Sequence, residues 1–339
     1  MSETNKRGKQ SFLLPHRPVI TAWASVAGKK EAQGPLAKHF DLAIQDTYFG
    51  QKTWEQAEKR LQELALEQLA KKAGMQMTDF SLVYSGDLLN QCIGSSFSLN
   101  NTGIPHLGLY GACSTMAQSL LLAGMTVDGG YSDKVVAMTS SHFASSERQY
   151  RFPLGYGGQR TPTAQWTVTG SGAALVCAEG KGPSIDSCTI GTVMEMGIKD
   201  ANNMGAAMAP AAYETIKAHL QDMNRAPGDF DRIVTGDLGQ LGKELVLRLA
   251  QEDGLNLQDN LIDCGTLVFD QSSQDVHAGG SGCGCSAITL CSYLLEQLRS
   301  GKWKRILFCG TGALLSPTST QQGLPIPGTC NAVSITGGN

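Results

Sequence analysis

The feature that most constrains this chain is an internal repeat. The sequence DFSLVYSGDL at residues 79–88 reappears as DFDRIVTGDL at residues 229–238, an offset of 150. A second block, GACS at residues 111–114, has a counterpart in GCSA at residues 284–287, an offset of about 172. Two blocks in the same order favour a duplicated fold over chance similarity between low-complexity segments.

Each half shows the same alternation of helix and strand. The apolar stripe at residues 53–74 predicts a helix, and the apolar run at residues 82–84 predicts a strand. Apolar strands separated by helices indicate βαβ units and mainly parallel sheets. We therefore expect an α/β fold whose duplicated halves, residues 1–180 and 181–339, form an α/β/α/β/α five-layer body. Further helices are predicted at 116–127, 211–223 and 287–298, and further strands at 135–139, 233–235 and 306–309.

Composition and charge exclude several classes of function. The 27 basic residues against 30 acidic ones give a net charge of -3, which offers no electrostatic footprint for nucleic acid. The apolar run at residues 116–127 is too short to span a bilayer, and the run at 12–14 is too short for a signal peptide. Ten cysteines without regular spacing fit reduced thiols. These features predict a soluble protein of the cytoplasmic type.

Cys113 is the candidate nucleophile, because it lies just before a predicted helix. Unpaired N–H groups and the helix dipole favour a thiolate at that position. A nucleophilic cysteine also needs a base, and His142 and His277 are the histidines best placed to supply one. From the spacing alone, a buried structural cysteine and solvated loop histidines explain the pattern equally well.

Signatures of nucleotide cofactors and of zinc are missing. The Gly-rich run GSGCGC at residues 280–285 has neither GxGxxG spacing nor a GK[ST] ending. Its two cysteines are spaced C-x-C, and the sequence has no second well-spaced cysteine pair to complete a zinc site with them. We predict neither a cofactor nor a bound metal.

A stretch rich in arginine and aromatic residues, residues 145–166, is predicted to be a loop. Guanidinium groups bind carboxylates in a bidentate manner, and aromatic rings stack on flat ligands. This composition would suit a planar polycarboxylate, although a surface loop with solvated arginines explains the composition better when it is taken alone.

Four segments carry a resemblance to a known family. They are GLYGACST at 108–115, TSSHF at 139–143, FPLGYG at 152–157 and CGTGALLSP at 309–317. With the duplicated halves, they resemble the thiolase and ketoacyl-synthase superfamily over nearly the whole chain and, more closely, the stage V sporulation protein AD family of endospore-forming bacteria.

The resemblance implies a thiolase-like fold and a homodimer. It also implies binding of dipicolinic acid, alone or as its calcium chelate, during uptake into the developing spore, with a role in sporulation and germination. The partners implied are the SpoVA membrane proteins of the same operon, with the protein peripheral to the forespore or spore inner membrane.

This sequence departs from the enzyme pattern of the superfamily. Condensing enzymes pair the cysteine with a histidine and an asparagine or second histidine, and the matching positions here hold Gly236 and Ser281. A shift of the alignment by a few residues would bring in His277. We therefore expect a non-catalytic binding protein in which Cys113 is a relic. The predicted binding residues are Cys113, Ser114, His142, Arg151, Tyr156, Arg160, Ser281 and Thr311.

Two other functions stay open at this point. One is a surviving acyltransferase or condensing enzyme that uses Cys113 on acyl thioesters. The other is a purely structural partner in a membrane assembly, with an empty pocket.

Overall fold

The computed structural model describes residues 4–150 and 159–338. The strands of the first half are β1 (Lys6–Arg7), β2 (Ser11–Leu13), β3 (Val19–Ala27), β4 (Leu42–Ala43), β5 (Leu82–Gly86), β6 (His106–Gly108), β7 (Lys134–Ser141), β8 (Trp166–Thr167) and β9 (Gly170–Cys177). Its helices are α1 (Trp54–Ala73), α2 (Ile93–Ser98), α3 (Thr115–Asp128) and α4 (Phe143–Tyr150).

The second half has the same kinds of element. Its strands are β10 (Ser184–Ile190), β11 (Arg232–Thr235), β12 (Leu261–Asp263), β13 (Gly280–Ser281), β14 (Arg305–Ala313) and β15 (Gly328–Thr336). Its helices are α5 (Met204–Asp222), α6 (Gly239–Glu252), α7 (Cys264–Val268), α8 (Cys283–Thr289), α9 (Leu295–Arg299) and α10 (Pro317–Gln321). A turn of π-helix, Leu290–Leu294, joins α8 to α9.

The sheet has the same strand order in both halves. The first half runs β3-β9-β7-β5-β6, and the second runs β10-β15-β14-β11-β12. The pairing of Ser184 with Val19, and of β2 with β10, joins them into one sheet path. β9 and β15 are antiparallel to both of their neighbours, so the expectation of mainly parallel sheets is wrong. A continuous apolar run indicates burial on both faces but does not encode strand direction.

Helices pack between and outside the two parts of the sheet. α3 and α8 contact each other and strands of the central region, including β7 and β9. α1 covers the outer face of the first half, while α5 and α6 cover that of the second. The predicted α/β layered fold is confirmed, while the boundary at residue 180 stays a prediction.

The local signals placed most helices correctly. The Thr53 hydroxyl accepts a hydrogen bond from the Gln56 N–H at 3.2 Å, and Gly74 ends α1 with φ 66°, as the capping pattern predicts. The prediction of a loop at residues 145–166 is wrong for its first part, because α4 extends to Tyr150. No helix among the described residues is long and apolar enough to cross a bilayer.

Candidate functional site

A small cavity lies in front of Cys113, at the point where α3 and α8 both begin. Its volume is about 30 Å³, enough for water but not for an aromatic ligand. Cys113 itself is 5% exposed. We call this space the Cys113 cavity. The described residues that line it are Leu88, Tyr110, Ala112, Cys113, Ser146, Glu147, Tyr150, Thr167, Met204, Ser281, Ala313 and Leu315.

The backbone turn before α3 sets the position of the thiol. Ala112 has φ 49°, a left-handed conformation that non-glycine residues seldom adopt. The Ser114 hydroxyl donates to the Gly111 carbonyl at 2.7 Å, and its side chain is fully buried. Ser114, a predicted binding residue, therefore holds this turn and is not among the residues that line the cavity.

Asp237 is the centre of the polar network behind the cavity. Its carboxylate accepts hydrogen bonds from the Thr311 hydroxyl at 2.7 Å and from the Gly282 N–H at 2.9 Å. The Ser281 hydroxyl lies 3.4 Å away, and the Cys113 thiol is a further donor to this carboxylate. Three of the predicted residues thus contact the same carboxylate: Cys113, Ser281 and Thr311. That carboxylate belongs to Asp237, which the sequence analysis did not predict.

Burial changes the acidity of Asp237. Desolvation raises its pKa to about 6, while the hydrogen bonds from Thr311, Cys113, Gly282 and Ser281 act in the opposite direction. A carboxylate of this acidity can hold or release a proton near neutral pH. When ionised, however, it only accepts hydrogen bonds, so it cannot donate one to an acyl oxygen.

The position matched to the catalytic histidine has no room for a side chain. A Cβ atom added to Gly236 would lie 2.9 Å from the backbone nitrogen of Thr311. His277, considered as a replacement, instead pairs with Asp275 at 3.1 Å and is not among the residues that line the Cys113 cavity. Among the described residues, the group beside the thiol is therefore the carboxylate of Asp237.

Two tyrosines line the cavity. The hydroxyl groups of Tyr110 and Tyr150 are 3.0 Å apart, and the Tyr150 hydroxyl also donates to the Leu88 carbonyl. Burial raises the pKa of both phenols, so both stay protonated. Beside them Glu147 accepts a hydrogen bond from the Thr167 hydroxyl at 2.9 Å.

The other predicted residues lie elsewhere. His142 faces a second, larger cavity, where its Nε2 lies 2.8 Å from the Thr47 carbonyl oxygen. Arg160 forms an ion pair with Asp275 at 2.7 Å. Arg151 and Tyr156 lie outside the described residues. The structure therefore does not bring His142 or Arg160 to the Cys113 cavity.

A sequence signal for Asp237 did exist. Gly-Asp-Leu occurs in both repeats, as residues 86–88 and 236–238, and both aspartates are fully buried. A carboxylate repeated after a buried strand seldom lies in a core without a specific partner. The signal for Tyr110 and Tyr150 was weaker, because it depends on α4, which the composition does not predict.

Sequence comparison gives two matches. The family described as Stage V sporulation protein AD (SpoVAD) matches residues 8–336. The curated protein Stage V sporulation protein AD of Bacillus subtilis (strain 168) is 43% identical over 320 residues, which cover 94% of each chain.

Comparison of structures gives similar folds at low identity. A 3-oxoacyl-[acyl-carrier-protein] synthase III from Aquifex aeolicus has a TM-score of 0.56 at 13% identity, covering 94% of this chain and 99% of its own. A variant of OleA from Xanthomonas campestris has a TM-score of 0.57 at 12% identity, covering 94% and 98%. At this identity the likeness shows a common fold.

Proposed function

This chain belongs to the stage V sporulation protein AD family, and from that premise we propose that it is a binding protein for dipicolinate that acts in its uptake into the developing spore. The ligand would occupy the Cys113 cavity after the cavity has opened. Dipicolinate carries two carboxylates on a flat pyridine ring. The start of α3 and the start of α8 both adjoin this cavity, and their helix dipoles favour an anion there.

The observation that carries the proposal is the contact between the Cys113 thiol and Asp237. Condensing chemistry at a thiol needs a donor that stabilises the developing oxyanion. Here the group beside the thiol is a carboxylate that already accepts hydrogen bonds from Thr311 and Gly282. The site is therefore better suited to holding a ligand than to transferring an acyl group.

Binding requires the cavity to enlarge, because about 30 Å³ is far too small for a pyridine dicarboxylate. Tyr110 and Tyr150 line it, and their hydroxyl groups lie 3.0 Å apart. We infer that rotation of Tyr150 opens the cavity. Arg151 and Tyr156 stay predictions.

Calorimetric titration with dipicolinate tests this proposal. We expect saturable binding to the wild type and to Cys113→Ala, because the thiol is not the group that recognises the ligand. Ala313→Leu, which fills the cavity, should abolish binding, and Tyr131→Phe, at an 88% exposed position, should leave it unchanged. Circular dichroism and thermal melting check that each variant folds. Absence of binding to the wild type would reject the proposal.

An acyltransferase that uses Cys113 is the second candidate. One observation favours it: Asp237, with a pKa raised to about 6 by burial, could take the thiol proton. Mass spectrometry after incubation with acetyl and malonyl thioesters distinguishes the two functions. Our proposal expects no adduct on Cys113, whereas an adduct that disappears in Asp237→Asn would establish the enzyme.

We also propose that the protein is a homodimer that lies at the spore inner membrane beside the SpoVA membrane proteins. Among the described strands, β6 pairs on one side only, with β5. Leu107 on this edge is 54% exposed, and Phe97 nearby in the chain is 59% exposed. An open edge with exposed apolar side chains favours pairing with a second copy. Sedimentation of the wild type and of Leu107→Lys tests this arrangement.

A further inference from the structure

The Cys113 cavity has acidic side chains around it, although the ligand proposed for it is a dianion. Glu147, which is 6% exposed, and Ser281 line the cavity, and the Asp237 carboxylate lies directly behind Ser281. None of the described residues that line the cavity is an arginine, a lysine or a histidine. Bringing a further negative group into a buried space raises the free energy of the charges already there. We therefore ask how the negative charge of the protein is offset when a dicarboxylate binds.

The hydrogen bonds of Asp237 allow it to take up a proton. Three of its donors can turn their hydrogen away: the Thr311 hydroxyl at 2.7 Å, the Ser281 hydroxyl at 3.4 Å and the Cys113 thiol. A hydroxyl rotates about its C–O bond and can accept a hydrogen bond as well as donate one. The Gly282 N–H, a further donor, is fixed by the backbone and contacts Oδ2 at 2.9 Å. A protonated Asp237 can thus donate to a hydroxyl that now donates to it.

Other titratable groups face Asp237 from the elements packed around it. They are Cys113 before α3, Asp263 at the end of β12, Cys264 in α7 and Cys285 in α8. Burial raises the pKa of Cys264 and Cys285, so these thiols stay neutral. Asp263 accepts mostly from backbone N–H groups, at 2.8 to 3.2 Å, and these donors cannot turn away. Asp237 is therefore the carboxylate whose partners can adapt to a proton.

Asp237 is already close to protonation in the free protein. Burial raises its pKa to about 6, so the carboxylate is mostly ionised at pH 7. An anion on the cavity side of Ser281 would raise this pKa further, because two negative charges in a buried space disfavour each other. Binding would then draw a proton from the solvent, and the affinity would fall as the pH rises above 6.

We propose that Asp237 is a positioning residue that takes up one proton when the dicarboxylate enters the Cys113 cavity, and that it acts through Ser281. The proton comes from the solvent, binds Oδ2 of Asp237 and is donated to Ser281 Oγ. The Ser281 hydroxyl then turns its own hydrogen towards a carboxylate of the ligand. One negative charge is removed and one donor is gained in the same step. This inference rests on the function proposed above, because it needs the ligand to lie in this cavity.

Calorimetric titration of the full chain with dipicolinate at pH 6, 7 and 8 tests the inference. Titration at pH 7 in HEPES and in Tris, which differ in ionisation enthalpy, gives the number of protons taken up. We expect uptake of about one proton at pH 7 and an affinity about tenfold lower, or lower still, at pH 8 than at pH 6. Carboxylic acids in water titrate at about pH 4, so the free ligand does not change its charge over this range.

Two variants separate a proton on Asp237 from a merely structural role, which would lower the affinity equally at every pH. Asp237→Asn has a permanent N–H donor in place of the proton, so it should bind without proton uptake and with the same affinity at pH 6 and pH 8. Ser281→Ala should weaken binding about tenfold at pH 6 and much less at pH 8. Asp259→Asn, at an exposed position, is the matched control and should keep the pH profile of the wild type.

The outcomes distinguish this inference from the proposed function. Absence of binding to the wild type would reject both, whereas saturable binding with no proton uptake and no dependence on pH would overturn this inference alone. Proton uptake that persists in Asp237→Asn and disappears in Glu147→Gln would place the proton on Glu147 instead. If thermal melting shows that Asp237→Asn does not fold, equal weakening of Ser281→Ala at pH 6 and pH 8 would still overturn the inference.

Discussion

Replacing Glu31 by glutamine should remove a pH-dependent part of the stability of the protein. Burial raises the pKa of Glu31 from 4.5 to about 7, against a weaker opposing effect of the hydrogen bond from Thr169. The folded state therefore disfavours the ionised carboxylate, whereas the unfolded chain does not. Stability linked to Glu31 is complete below pH 4.5, falls as the pH rises towards 7 and stays low above that value.

The size of the effect follows from the shift. At about 1.4 kcal/mol per pKa unit, a rise from 4.5 to about 7 lowers the free energy of unfolding by about 3 kcal/mol at alkaline pH. The glutamine amide keeps the acceptor for Thr169 and leaves an N–H group unpaired, which has the same cost at every pH. The difference between variant and wild type should therefore change by about 3 kcal/mol between about pH 4.5 and pH 8.

Urea denaturation across this pH range measures the effect. Comparing the variant with the wild type at each pH cancels contributions that do not titrate. Glu179→Gln, an exposed glutamate, is the matched control and should give a difference that does not vary with pH. If Glu31→Gln changes stability equally at both ends of the range, Glu31 is not a buried carboxylate that titrates near neutral pH, and the reasoning fails.

Two further predictions concern packing and acid stability. Gly284→Ala should lower the free energy of unfolding by about 3 kcal/mol or more, as measured by urea denaturation. The added Cβ would lie 2.5 Å from the Gly170 carbonyl oxygen and 2.5 Å from the Ser141 hydroxyl. The control Gly228→Ala should be nearly neutral, because its Cβ would have nothing within 4 Å. Burial lowers the pKa of His219 from 6.5 to about 4, so the stability that its neutral form provides is lost as the pH falls from 6.5 to 4. His219→Phe should remove about 3 kcal/mol of this loss, measured by urea denaturation between these pH values. The same loss of stability in the variant and the wild type would contradict the prediction.

The sequence predicted the elements that depend on local signals. The helix from residue 53 was predicted from Thr53 and Gly74, and the structure uses both as caps. The prediction for α3 was close because its apolar residues form a continuous run, which is also a local signal. The second-half helix starts at Met204, seven residues before the predicted start, and contains Pro210. Tertiary burial of its first turns, including Met208, outweighs the low helix propensity of proline.

The candidate site could be predicted only in part. Cys113 was predicted because it lies just before a helix, and Ser281 because it matches a catalytic position of the superfamily pattern in the Gly-rich run. His142 and Arg160 were assigned by their chemistry, which carries no information about the side of α4 on which they lie. Their actual positions depend on long-range contacts with Thr47 and Asp275, and such contacts leave no periodic signal in the sequence.

The repeat also explains why only one half holds the Cys113 site. Asp87 and Asp237 occupy equivalent positions, but Asp87 accepts hydrogen bonds from Ser95 and Leu89 within its own half. Asp237 accepts from the Cys113 thiol of the first half as well as from Thr311 of the second. Because this carboxylate accepts hydrogen bonds from both halves, the position of the thiol depends on how the two halves pack together. A substitution at Asp237 should therefore disturb both ligand binding and stability, whereas one at Asp87 should affect mainly the stability of the first half.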